Sequence, residues 1–122
     1  MKQFAIWEVD GEEYKLKLKT STICNLEEKL KISLMDVLGT VNTMPPLSIM
    51  LTITHGAMKE WNNGIKRTDV DVLFDKYVEE GGDQLSFFTN VFMDIYKVSG
   101  FFTQAAAEKM EAQQEKAKEL LE

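Results

Sequence analysis

The dipeptide Asp10-Gly11, with alternating apolar residues on both sides, constrains the fold of this 122-residue chain more than any other feature. Asp-Gly is preferred in two-residue type I′ turns because both central residues need a positive φ. Such a turn places Trp7 opposite Tyr14. Since side chains alternate between the two faces of a strand, the pattern predicts a β-hairpin over residues 3–19 with one apolar face, formed by Ala5, Trp7, Val9, Tyr14, Leu16 and Leu18.

The opposite face of this hairpin is mixed in character. It carries Phe4 and Ile6 among the charged residues Glu8, Glu13, Lys15, Lys17 and Lys19. A two-stranded sheet leaves both edges unpaired and is marginally stable by itself in water. We therefore expect either self-association at the hairpin or the addition of a strand from another chain to one of its edges. Phe4 and Ile6 are the candidate partner-binding residues.

Capping residues and helix breakers then mark a succession of helices. The predicted helix starts are Ser21 or Thr22, Ser33 with Asp36, Pro45-Pro46, Thr68 with Asp71, and Asp83. The predicted ends are Gly39, Asn63-Gly64, Gly81-Gly82 and Gly100. The fold is therefore predicted to be α+β and mainly α. We expect the hairpin to pack on a bundle of five to six helices over residues 21–102, in a single domain over residues 1–102.

Apolar residues at three- and four-residue spacing predict which helix faces are buried. The longest stripes are Leu47, Met50, Leu51, Thr54, Ala57, Met58 and Trp61; Val70, Leu73, Phe74, Tyr77 and Val78; and Leu85, Phe88, Val91, Phe92, Ile95 and Val98. All of these side chains are expected to face the core.

Residues 103–122 differ from the rest of the chain. They are mostly strong helix formers on a charged background, with few and mostly small apolar residues. A helix of this composition gains little from packing on its own domain, so we predict a C-terminal charged arm that projects or contacts another chain. Its candidate partner-binding residues are Met110, Ala117, Leu120 and Leu121.

The pair Phe101-Phe102 lies just before this arm. Two adjacent aromatic residues cannot both face one core from one helix, so one of them is expected to be exposed or to clamp the arm. Packing at the core or at the junction is the favoured interpretation, because aromatic side chains bury large areas. An exposed aromatic beside an arm would also suit a protein-binding anchor, so both residues are candidate partner-binding residues.

Residues that carry catalytic or metal-binding chemistry are sparse. His55 is the single histidine and Cys24 the single cysteine, so no intramolecular disulfide and no His-rich metal site can form, and the sequence shows no partner for either residue in a catalytic pairing. We expect a structural or solvated His55 and a half-buried Cys24 beside Ile23. The sequence predicts no catalytic residue, no metal site and no cofactor, and therefore no enzyme.

Charge and hydropathy exclude two further classes of partner. The formal net charge of −6, without a basic run, argues against binding to nucleic acid. No apolar run approaches the roughly 20 residues of a membrane span, and the N-terminus lacks the pattern of a signal peptide.

Asp71, Asp75 and Glu79 form a helical column, which is either a solvated face or a docking strip for a basic partner. We expect a cytoplasmic location.

Several stretches of the chain resemble tail assembly chaperones of long-tailed bacteriophages that infect Gram-positive bacteria. The first is Tyr14-Lys15-Leu16-Lys17-Leu18, followed by the helix Ile23 to Lys31 and by Ser33 to Leu38. Met50 to Trp61 with Asn63-Gly64-Ile65, Asp71 to Gly82, and Val91 to Phe102 are similar to the same family. The resemblance covers roughly residues 12–102.

This resemblance implies a non-enzymatic assembly factor that works in the host cell cytoplasm and is absent from the mature virion. Such chaperones bind the tape measure protein and recruit tail tube subunits around it. The residues themselves also predict self-association into a homo-oligomer. The alternatives are a structural tail or head-completion protein retained in the virion, and a small regulatory protein that binds a host factor.

Overall fold

A computed structural model describes residues 3–39, 44–109, 112 and 116 of the chain. Two strands come first, β1 (Ala5–Val9) and β2 (Glu12–Leu16). The helices that follow are α1 (Thr20–Leu30), α2 (Leu34–Val37), α3 (Leu47–Met58), α4 (Arg67–Glu79), α5 (Gln84–Phe87) and α6 (Met93–Val98), with a π-helical turn at Phe88–Phe92 between the last two. Residues 104–109 are also helical. The predicted fold class, α+β and mainly α with an N-terminal hairpin, is confirmed.

The hairpin has the predicted register. Trp7 pairs with Tyr14 and Ala5 with Leu16 in an antiparallel arrangement. Both loop residues have the positive φ that a type I′ turn requires, 53° at Asp10 and 79° at Gly11. Trp7 is only 1% exposed, while Lys15 is exposed on the other face, so the apolar face is turned inward, with Tyr14 as its one half-buried member.

An aromatic cluster joins the hairpin to α4 and α5. The Trp7 ring meets the ring of Phe87 edge-on at a centroid distance of 5.0 Å and that of Tyr77 at 5.9 Å. Phe74 completes the cluster at 5.4 Å from Phe87. The Trp7 indole Nε1 is buried and has no hydrogen-bond partner in the described part of the chain. Burying an unpaired donor costs on the order of 1–3 kcal/mol, which the large apolar contact of the indole must offset.

Two hydrogen bonds fix the end of β2 onto the helices. The Lys17 N–H donates to the carbonyl of Ala57 in α3 at 3.1 Å. The N–H of the following residue, Leu18, donates to the hydroxyl of Ser99, just after α6, at 2.9 Å. The chain therefore leaves the sheet between α3 and the end of α6, which holds the buried face of the hairpin against both.

The helix starts agree with the capping pattern at two places and differ at two others. The Ser33 hydroxyl accepts the Asp36 N–H, and the Asp83 carboxylate accepts the Ser86 N–H, as predicted. The prediction of Ser21 or Thr22 as the first cap was wrong, because α1 already begins at Thr20, after Lys19.

The cap predicted for α4 at Thr68 with Asp71 was also wrong. This helix begins at Arg67, and the Asp69 carboxylate accepts the Lys66 N–H at 2.8 Å. Asp71 instead forms an ion pair with Arg67 one turn earlier on the surface of α4. The carboxylate of Asp69, two residues before Asp71, therefore accepts the backbone N–H that the start of the helix leaves unpaired.

The π-helical turn changes which residues of the last long helix are buried. Phe87, Phe92 and Tyr96 are fully buried, whereas Leu85, predicted to face the core, is 55% exposed. A π turn closes i→i+5 hydrogen bonds, so it aligns Phe87 with Phe92 and rotates the preceding turn away from the predicted stripe. Val78 in α4 was also predicted to face inward but is exposed, since it lies about 100° round the helix from the half-buried Tyr77.

Leu34 is held from three sides and ties three helices together. Its N–H donates to the Glu27 carboxylate of α1 at 2.8 Å. Its carbonyl accepts the hydroxyl of Tyr96 in α6 at 2.7 Å, and its side chain is fully buried. Burial raises the pKa of Tyr96 well above its ordinary value of 10.0, and the nearby Glu27 carboxylate adds to this rise.

Replacing Tyr96 with Phe should destabilise the fold in a pH-dependent way. At pH 7 the Leu34 carbonyl loses its donor, so we expect the free energy of unfolding to fall by about 1–3 kcal/mol. The raised pKa of Tyr96 means that its contribution is complete below pH 10, the unfolded value, and is lost as the pH rises towards the folded value. The difference between wild type and Y96F should therefore shrink above pH 10.

Urea unfolding between about pH 7 and pH 11 measures this difference directly. Y14F serves as the control at pH 7, because Tyr14 is only half-buried and its side chain makes no hydrogen bond in the described part of the chain. A Y96F deficit that stayed constant across the pH range would contradict the assignment.

Replacing Gly82 with Ala should destabilise the aromatic cluster. A Cβ at this position would run into the ring of Tyr77, whose hydroxyl also bonds the Ser86 hydroxyl at 2.7 Å. Displacing that ring disturbs its contacts with Trp7 and Phe87, so we expect a loss of about 1–3 kcal/mol in the free energy of unfolding. The control is to make G82A in a Y77L variant, where the ring is absent and G82A should lower the free energy of unfolding much less. Equal costs in both backgrounds would show that the clash is not the cause.

Candidate protein interaction surface

The outer face of the hairpin presents three rows of side chains. Across the two strands Glu8 pairs with Glu13, and Ile6 pairs with Lys15. Phe4 and Lys17 lie one residue beyond the paired strands and line one groove, so they form a third row at the base of the hairpin. From the turn to the base of the hairpin, the face therefore passes from an acidic row to a row with one apolar and one basic residue, and then to an aromatic and basic row.

An aromatic pair extends this face onto the end of α3. The rings of Phe4 and Trp61 meet edge-on at 5.9 Å, and the Lys15 ammonium lies over the Phe4 ring at 4.8 Å. Ile6 is 43% exposed and Trp61 is 40% exposed. We call the set Phe4, Ile6 and Trp61, with Lys15 beside it, the hairpin patch.

A groove of about 350 Å³ lies beside the hairpin patch, lined by Gln3, Phe4, Lys17, Lys19, Glu60 and Trp61. Lys19 and Glu60 form an ion pair at 2.7 Å and so close one wall of it. Lys17 has no ion-pair partner in the described part of the chain. The groove thus combines aromatic surface with one cation available to an acidic ligand group.

Sequence reasoning missed Trp61 as a surface residue and placed it in the core stripe of α3. The helix ends at Met58, and the Trp61 N–H closes a turn onto the Met58 carbonyl at 3.2 Å. The side chain therefore leaves the buried face of α3 and reaches Phe4. The predicted end at Asn63-Gly64 was therefore wrong, because the helix already ends at Met58.

Phe101 and Phe102 are both half-buried and pack against the core. The backbone turns at Gly100, which has a φ of 85°, directly after α6. The two rings are therefore not on one helix, so both can reach the core. The Phe101 ring lies 4.6 Å from that of Tyr96. Packing at the core was the favoured interpretation, and a partner-binding role for this pair stays a prediction.

The candidate residues of the arm, Met110, Ala117, Leu120 and Leu121, lie outside the described residues. The described start of the arm is a helix over residues 104–109, in which the Thr103 hydroxyl accepts the Ala106 N–H at 3.1 Å. Thr103 thus caps the helix that begins the predicted arm.

The single histidine and the single cysteine have different surroundings. His55 bonds the Ile65 carbonyl through Nε2 at 2.8 Å and so ties α3 to the segment that precedes α4. Cys24 is exposed, so the prediction of a half-buried cysteine was wrong: α1 turns only Leu26 fully inward and leaves this side chain in solvent. Within the residues that the structure describes, no three His, Cys, Asp or Glu side chains are grouped so that they could hold a metal ion.

Comparison with known proteins places the chain in a family without assigning an activity. Residues 4–120 match a family of unknown function (DUF6096), and the chain belongs to that family. No curated protein and no solved structure matched the chain. In the described part of the chain, no helix is long and apolar enough to cross a membrane.

The surroundings of Trp61 can be checked by fluorescence quenching. Trp7 is buried and Trp61 lies beside Lys17 and Lys19, so iodide should quench Trp61 and should quench it more strongly than caesium does. W61F should abolish most of the quenching. K17E should reduce quenching by iodide, whereas K29E, on the exposed side of α1, serves as the matched control. Equal quenching of wild type and W61F would contradict the exposed position of Trp61.

Proposed function

We propose that this chain is a tail assembly chaperone of a long-tailed bacteriophage, which binds the tape measure protein and recruits tail tube subunits without catalysing a reaction. It would act in the host cell cytoplasm and leave the assembled tail before the virion is complete. The proposal rests on the sequence resemblance and on one structural observation, the hairpin patch on an acidic chain.

The composition of the hairpin patch supports this proposal. A chaperone for a long helical client must cover apolar side chains that the client would otherwise expose. Ile6 and the aromatic pair offer apolar contact, and aromatic residues are frequent among the residues that dominate binding energies. The Lys15 and Lys17 side chains add aliphatic stems that can cover apolar surface while their ammonium groups stay in water.

The charge of the chain also suits such a role. A formal net charge of −6 makes copies of the protein repel one another over most of their surface. A complex of chaperone and client inherits part of this charge, which opposes the clustering of clients. Binding through a local apolar patch is thus compatible with keeping an aggregation-prone client dispersed.

Co-expression with the tape measure protein of the same phage tests the proposal. The variant I6S/W61S removes apolar surface from the hairpin patch, and we expect it to lower the soluble fraction of the tape measure protein several-fold. The matched control is V72S/L85S, which removes two side chains that are each 55% exposed and lie elsewhere. Both variants should melt within a few degrees of wild type, since partly exposed positions contribute little to stability.

Two results would overturn the proposal. The first is a tape measure protein that is equally soluble with and without this chain. The second is recovery of the chain in purified virions by mass spectrometry, at the copy number of a tail or head protein, which would favour a structural role. If client solubility fell equally with I6S/W61S and with V72S/L85S, the client would not bind specifically at the hairpin patch.

A further inference from the structure

We propose that two copies of this chain pair face to face through the outer faces of their hairpins, with the strands antiparallel and Ile6 at the centre. In this arrangement Glu13 of each copy faces Lys17 of the other. The inference concerns the chain alone and does not depend on the proposed function, but the dimer buries the hairpin patch and so excludes a client bound at the same face.

The order of the three rows is what makes the face complementary to itself. In an interface between two identical copies related by a two-fold axis, the same surface patch of each copy faces the other. Each residue therefore needs a complementary partner at the symmetry-related position. With Ile6 at the centre, the acidic row of one copy lies over the aromatic and basic row of the other. The dimer therefore contains two contacts between Glu13 of one copy and Lys17 of the other. Glu8 of each copy lies next to Phe4 of the other.

The parallel arrangement is disfavoured by the same rows. It would place Glu8 and Glu13 of one copy over Glu13 and Glu8 of the other, which brings four carboxylates together. Like charges in contact across an interface are costly. The antiparallel arrangement brings only the two Lys15 residues together, and each of these ammonium groups is already drawn aside over its own Phe4 ring. The charge order therefore selects one relative direction of the two hairpins.

The local charge of this face also distinguishes it from the rest of the surface. Most of the chain is acidic, with a formal net charge of −6, so most faces of two copies repel. On the hairpin face, Lys15 and Lys17 balance Glu8 and Glu13, and beside it Lys19 is paired with Glu60. Two copies can approach here without net repulsion and with apolar surface to bury, namely Ile6, Phe4 and Trp61.

The size of the face sets the expected affinity. Two five-residue strands span about 17 Å in length and about 10 Å in width, which with Trp61 is a small contact for a specific interface. We therefore expect a weak dimer, with a dissociation constant on the order of 10–100 µM. It should be visible at high concentration and should dissociate on dilution.

Charge reversal at the two paired positions tests the arrangement. Sedimentation equilibrium from about 1 µM to about 1 mM should give a monomer–dimer equilibrium for wild type. K17E and E13K should each raise the dissociation constant roughly tenfold, because two weak ion pairs become two repulsive contacts. Both positions are exposed on the hairpin, so neither substitution should change the fold, which circular dichroism and the melting temperature check.

Mixing the two variants separates this proposal from a general effect of charge. In a mixed dimer, the K17E chain carries a carboxylate at both paired positions and the E13K chain carries an ammonium group at both, so each contact joins opposite charges again. An equimolar mixture should therefore associate at least as well as wild type, and the double variant E13K/K17E should recover self-association. The matched control is K29E mixed with E28K, which changes charge on α1 and should not alter association.

Three results would overturn the inference: a strict monomer at the highest concentration, a dimer indifferent to K17E and E13K, or a mixture that fails to recover association. The second result would instead indicate pairing along the edge of β1, where Glu13 and Lys17 lie too far apart to meet. None of these measurements involves the tape measure protein, so failure here and failure of the proposed function are distinguishable.

Discussion

The contact of Trp7 with Phe87 and Tyr77 connects the hairpin to the helices, and the arrangement of both layers depends on it. A hairpin of two five-residue strands has too little surface of its own to be stable in water. Burying the indole at the junction of α4 and α5 supplies a large apolar contact at one point, and it fixes which face of the sheet is turned inward. The face that remains outside is then determined, because neighbouring side chains on a strand must alternate.

Much of the fold could be predicted because short-range signals were strong. Asp10-Gly11 set the register, and one apolar face left a single way to bury it. Ser33 and Asp83 were found as caps because each has its backbone partner three residues away. Some errors are local, as at the starts of α1 and α4, and the others lie where tertiary contacts decide. The π-helical turn that buries Phe87 and Tyr96 has no signal in the spacing of apolar residues, and it turned Leu85 outward.

The candidate surface could be predicted only in part for a related reason. Phe4 and Ile6 follow from strand alternation, which is local. Trp61 reaches the same patch only because α3 ends at Met58 and lies beside β2, where the Ala57 carbonyl accepts the Lys17 N–H at 3.1 Å. A residue that completes a surface from another element is not visible in the pattern of either element alone. The order of the acidic and basic rows along the hairpin, in contrast, follows directly from the predicted register.

The position of the aromatic partners along the chain has a consequence for folding during synthesis. The hairpin leaves the ribosome first, but Phe87 follows Trp7 by some eighty residues, and Ser99, which accepts the Leu18 N–H, follows Leu18 by 81. At typical elongation rates of about 5–20 residues per second, the inner face of the hairpin waits for seconds before its cover exists. During that interval the apolar side chains of this face are open to any apolar surface nearby. A chain of this topology therefore passes through a stage in which it needs protection of the kind that we propose it later gives.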